Sequence, residues 1–90
     1  MGSDSPNFGG RWRLSPHVSL RAEEFGALAY HHQTRRLVFV KSEPLVELIS
    51  HLDQFESARQ ALDTLVTPAQ RPRYERALAS LANAGVVDEC

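Results

Sequence analysis

No stretch of this chain of 90 residues is apolar for long enough to cross a membrane, which takes about 20 such residues in a row. Cysteine is nearly absent. The one thiol, Cys90, is the last residue, so no internal disulfide forms and nothing points to an oxidising compartment. A terminal position also leaves a nucleophile without fixed geometry. Neither charge is in excess: 10 Lys and Arg against 11 Asp and Glu give a net charge of −1. Such a balance provides no bulk attraction to nucleic acid or to an anionic membrane surface. Residues 1–10 are polar and small apart from Phe8, and they lack the apolar run of a signal peptide. The expectation is a cytoplasmic protein with a flexible arm over residues 1–11 and one small domain over residues 12–90.

The usual chemical constellations are also missing. There is no Cys-x-x-Cys, and His17 and His51 are remote in sequence from the adjacent pair His31-His32. Neighbours on a strand point to opposite faces, so His31 and His32 do not readily share one ion and read as turn histidines. Glu23-Glu24 falls in a polar turn, and Asp53, Glu56 and Asp63 lie near helix ends, where carboxylates are solvated. The pair Gly9-Gly10 opens no strand-to-helix phosphate loop. The chain reads as a binding protein without catalytic residues, metal or cofactor.

What is present changes period halfway along. Trp12 and Leu14 share one face of an extended segment that Pro16 ends. Val18 and Leu20 alternate with Ser19 and Arg21, and Leu28 and Tyr30 alternate with small residues. Leu37-Val38-Phe39-Val40 is the most strand-like run, β-branched and aromatic with basic residues at each end. The loop before it has no glycine to name its turn type. From Ser42 the spacing turns helical. Ser42 caps a helix carrying Leu45, Val46, Leu48, Ile49 and Leu52, with Pro44 in its first turn. Ser57 and Gln60 have capping-box spacing ahead of Ala61, Leu62 and Leu65. Thr67-Pro68-Ala69-Gln70 reads as a turn, and residues 72–84 as a third helix buried along Tyr74, Ala77, Leu78 and Leu81. Gly85 suits the left-handed position after it, and Val86-Val87 then packs back on the core. The fold class expected is α+β, winged-helix-like, with a three-stranded antiparallel sheet followed by three helices.

The segment from Arg35 to Lys41 is the most informative. As an edge strand it offers unpaired main-chain groups to another strand. Its flanking Arg35, Arg36 and Lys41 either blunt that edge or draw an acidic peptide to it. Both Leu37/Phe39 and Val38/Val40 are apolar, so one pair faces the helices. The other lies exposed or is covered, by Trp12, by the N-terminal arm or by a bound peptide. Burial of two such side chains contributes about 3 kcal/mol. The alternative is a winged-helix DNA-binding regulator, with Arg71, Arg73 and Arg76 on a recognition helix and Arg35, Arg36 and Lys41 on a basic hairpin beside it; Glu75 within the helix cluster and the acidic balance weigh against it.

Three runs resemble a known family: residues 12–21 (WRLSPHVSLR), 25–31 (FGALAYH) and 34–42 (TRRLVFVKS). They look like those of the mycofactocin biosynthesis chaperones. These belong to the peptide-recognition domains of ribosomally made, modified peptides and are similar to the chaperone of pyrroloquinoline quinone synthesis. The resemblance covers residues 12 to about 87. It implies a winged-helix-like fold, no catalysis, and a precursor's leader segment lying as an added strand in a groove closed by the third helix. It implies peptide contacts at Arg36, Leu37, Val38, Phe39, Val40 and Lys41, and on the third helix at Arg73, Arg76, Ala77 and Ser80. It also implies a radical S-adenosylmethionine (SAM) maturase as partner. The iron–sulfur clusters and S-adenosylmethionine belong to that enzyme, since this chain lacks the cysteines to hold them.

Overall fold

Four strands form where alternation predicts extended chain: β1 (Trp12–Leu14), β2 (Val18–Glu23), β3 (Gly26–His31) and β4 (Leu37–Val40). The computed structural model describes residues 8–89, so most of the arm expected over residues 1–11 and the terminal Cys90 lie outside the described residues. Strands β2, β3 and β4 pair antiparallel in that order, which is the expected three-stranded sheet with β4 at its edge. A further strand, β5 (Val87–Glu89), pairs antiparallel with β1 as a separate two-stranded ribbon, with Leu14 opposite Val87. Alternation identifies Trp12–Leu14 as extended but does not reveal a partner that lies at the far end of the chain. Of the residues ahead of β1, the Phe8 carbonyl accepts from the Arg59 amide at 2.8 Å and the Gly10 carbonyl from the Ala58 amide at 3.1 Å. Phe8 also meets the Trp12 ring edge-on, with centroids 5.9 Å apart.

The β2–β3 connection is a two-residue turn, Glu24-Phe25, closed by Gly26 at φ +142°. A Cβ at Gly26 would collide with the Val40 carbonyl oxygen, so this glycine lets β3 and the end of β4 approach. The β3–β4 loop solves its turn without glycine. Arg35 adopts the left-handed region at φ 61°, a conformation that costs a side-chain-bearing residue about 1–2 kcal/mol. His31 organises that loop: its Nδ1 accepts from the Gln33 and Thr34 amides at 3.3 and 3.2 Å. It is the buried last residue of β3, whereas the sequence reading put it in the turn itself.

The helical half begins at α1 (Glu43–Ser50), whose cap is as expected: the Ser42 hydroxyl accepts from the Leu45 amide at 3.3 Å. Leu52 lies beyond this helix, in a 3-10 turn at Leu52–Gln54, and is still fully buried. Helix α2 (Ala58–Leu65) is capped by Ser57, which accepts from the Gln60 amide at 3.0 Å. The Gln60 side chain reaches the Glu56 amide, one residue before the partner of a capping box. Helix α3 (Arg71–Asn83) starts one residue earlier than its pattern suggests, with Pro72 inside the first turn, where a missing N–H costs nothing. Arg71 forms ion pairs with Asp63 of α2 and Glu75 of α3, joining the two helices.

The core lies between the inner face of the sheet and the helices. Ala27, Ala29 and Val40 meet Leu48, Ile49, Leu62 and Leu78, all nearly inaccessible to water. The small side chains of β3 face inward, which lets α1 pack close to that strand. Consequently its large residues, Leu28 and Tyr30, stand on the outer face.

Candidate functional site

Because the sheet order ends at β4, that strand keeps one side unpaired by any strand among the described residues. The His31 amide donates to the Arg36 carbonyl at 2.9 Å. Antiparallel pairing alternates from that point, so Val38 and Val40 turn their main-chain groups to β3. Leu37 and Phe39 turn theirs outward, to the free edge. Side chains alternate in the other sense: Val40 is buried and Val38 packs against the core, while Leu37 and Phe39 are 56% and 62% exposed. The sequence left open which pair faces the helices; it is Val38/Val40. Trp12 does not cover the other pair, being buried against Phe8 in the β1–β5 ribbon.

Helix α3 runs alongside β4 in the opposite sense. At one end a cleft of about 220 Å³ is lined by Lys41, Ser42 and Leu45 on one wall and by Arg73, Tyr74 and Ala77 on the other. At the other end Arg36, His31 and Thr34 face residues 82–85 across a second cleft of about 360 Å³. Five strand steps of roughly 3.3 Å and eleven helix steps of roughly 1.5 Å each span about 16 Å, so strand and helix are matched in length. Positions 73, 77 and 80 fall on one edge of α3, which its C-cap Ala84 continues, and Ala77 and Ser80 there are small enough for a backbone to come close. In the first cleft the Ser42 and Tyr74 hydroxyls are 3.4 Å apart, tying the start of α1 to α3. Gly85, at φ +82°, closes the second: a Cβ there would sit 3.3 Å from the His31 ring.

The residues singled out by resemblance thus fall into three groups. Lys41, Arg73 and Ala77 share the first cleft, and Arg36 lines the second. Val38 and Val40 support the strand from within, while Leu37 and Phe39 stand on the opposite face. Arg76 and Ser80 are exposed on α3 and line neither cleft. Leu45 and Tyr74 were missed as lining residues, because helical spacing marks them only as apolar. Phe25 was missed too, although its place beside a strand of alternating large and small residues was a usable signal.

Charge is distributed unevenly around these clefts. Neither is lined by a carboxylate. A third cleft, of about 680 Å³ beyond the β2–β3 turn, is lined by Glu23, Glu43 and Glu47 around Val46 and Leu65. An acidic ligand is therefore favoured along β4 and α3 and disfavoured there.

The sequence pattern of the peptide chaperone MftB family matches residues 11–88, nearly the whole of the described structure. The chain belongs to that family. It is similar to a protein named peptide chaperone MftB from Mycolicibacterium smegmatis (strain ATCC 700084 / mc(2)155), with 39% identity over 77 residues covering 84% of this chain and 76% of that one. A protein of the same name from Mycobacterium tuberculosis (strain ATCC 25618 / H37Rv) is 35% identical over 77 residues, 84% of this chain and 71% of its own. No solved structure matches. The MftB family is one of peptide chaperones and not of catalysts, so the reading of the chain as a non-enzyme stands. No helix among the described residues is long and apolar enough to cross a membrane.

Proposed function

We propose that this chain binds the leader segment of a ribosomally made precursor peptide as a strand added to β4. In doing so it presents the precursor to a radical SAM maturase of the mycofactocin type. The observation that carries the reading is the free edge of β4, with Leu37 and Phe39 turning their main-chain groups outward beside α3. Main-chain hydrogen bonds there would supply affinity, and the two basic clefts would supply preference for acidic side chains. The recognition unit is residues 12–90, and the contacts are those along Arg36 to Lys41 together with Arg73, Arg76, Ala77 and Ser80. Its place is the cytoplasm, where a precursor leaves the ribosome.

The other reading, a DNA-binding regulator, is less well supported. Arg71, first of the three arginines at the head of α3, is engaged by Asp63 and Glu75. That leaves Arg73 and Arg76 on the helix, with Arg35, Arg36 and Lys41 about β4, in a chain whose net charge is −1. DNA binding rests instead on a basic excess that makes many phosphate contacts.

The test is calorimetric titration with the precursor peptide, using Phe39→Pro and Phe39→Ala side by side. Both remove the ring, and only proline removes the outward amide. Strand addition predicts one-to-one binding that Phe39→Pro weakens well beyond Phe39→Ala. Equal losses in the two variants would rule out the added strand. Gel shifts at low salt with duplex DNA address the alternative, whose signal would fall steeply as salt rises.

A further inference from the structure

We infer that the outer face of the sheet is the second half of the peptide site, and that it selects a leader segment with two apolar side chains at alternate positions between flanking acidic residues. This rests on the added strand proposed above. Leu37 and Phe39 are 56% and 62% exposed, and Phe25, at 43%, leans on Phe39. In register, Phe39 lies across from Leu28 and Leu37 across from Tyr30. The apolar surface therefore runs from β3 to the free edge and stops there, as a sheet face does when one strand is missing.

The pleat determines what a new strand brings to that surface. Residues of the peptide opposite Leu37 and Phe39 point to the same face as these two, with Cβ atoms about 4.5–5.5 Å away. Residues between them point to the other side, over the cleft of Leu45, Tyr74 and Ala77. The outward positions are thus two residues apart in the peptide, and apolar side chains there cover Leu37 and Phe39. This holds for either direction of the added strand.

Charge identifies the occupant. Arg36 and Lys41 bracket the four residues of β4. A second copy of this chain, pairing antiparallel through the same outward groups with Leu37 opposite Phe39, would set Lys41 against Arg35 at both ends, which is repulsive. A peptide with carboxylates at the two positions facing Arg36 and Lys41, five apart, fits instead. The ligand class is an acidic residue, four residues of which two alternate ones are apolar, and a second acidic residue.

The test titrates the full chain carrying Leu37→Ser and Phe39→Ser with the leader peptide. These exposed changes keep the main-chain donors, and Leu65→Ser, an exposed leucine on α2, serves as control. In the converse arm, the two alternate apolar residues of the leader are changed to serine and titrated with the unaltered chain, where misfolding is not an issue. The expected result is roughly a tenfold or greater loss of affinity in each arm, no loss in the control, and little added loss when the two arms are combined. Affinity within about twofold of the unaltered pair in both arms would overturn the outer-face site. If Phe39→Pro still abolishes binding in that case, the added strand survives and this inference alone fails. If Phe39→Pro and Phe39→Ala are equal, the strand and the inference fall together.

Discussion

Phe39 of β4 and Phe25 of the β2–β3 turn meet edge to face, with centroids 5.6 Å apart and planes at 84°, and both remain open to solvent. The pair thus joins the sheet edge to the turn at its end without being part of the core. Aromatic pairs contribute about 0.5–1.5 kcal/mol beyond the area they cover. Phe25→Ala is expected to lower the unfolding free energy by about 1 kcal/mol or less, with an unchanged denaturant slope in urea. A loss of several kcal/mol would mean that the ring is structural.

Gly26→Ala is the opposite case, a one-carbon change at a place with no room. Its φ of +142° and the Val40 carbonyl in the path of a Cβ both resist alanine. The expected destabilisation exceeds about 2 kcal/mol. In thermal unfolding this corresponds to a fall in Tm of at least about 8 °C for a domain of this size. Because β4 must shift, affinity for the leader should fall as well.

Arg35 holds left-handed backbone with a full side chain. Arg35→Gly relieves that strain and is expected to stabilise the protein by up to about 1 kcal/mol, the smaller entropy of the unfolded arginine chain offsetting part of the gain. A rise in Tm of a few degrees would be seen by calorimetry. A fall would show that the arginine side chain contributes something the strain conceals.

Arg36→Glu and Lys41→Glu reverse the charge at the two ends of β4. Both are surface changes and should leave stability within about 0.5 kcal/mol of the parent. Affinity for an acidic leader should drop at low salt, and its dependence on salt should weaken. Arg59→Glu, on the exposed side of α2, is the control. Titrations at two ionic strengths separate the outcomes.

Much of the architecture was legible because it depends on local physics. Ser42 and Ser57 start helices by accepting amides in the first turn, and Pro72 marks the first turn of α3 for the same reason that it cannot sit further in. Leu37-Val38-Phe39-Val40 read as a strand from its side chains alone. Legibility failed where the answer depended on a distant segment. The β1–β5 ribbon joins residues 12–14 to residues 87–89, and no local pattern names that pairing. His31 read as a turn residue because its neighbours are polar, yet its ring turns inward to accept two loop amides.

The candidate site divides along the same line. By itself the sequence determined that a strongly β-forming, apolar segment stands between basic residues, and that a helix with small residues at 77 and 80 follows. These are properties of a few neighbouring residues, set by side-chain shape and charge. Only the tertiary structure decided that β4 is the edge of its sheet and that Val38 and Val40 face inward. It also decided that Lys41 and Arg73 share a cleft. A period-two pattern fits either face equally well. The choice falls to whichever side the helices cover, and Gly26 and the β3 alanines are what let them cover this one.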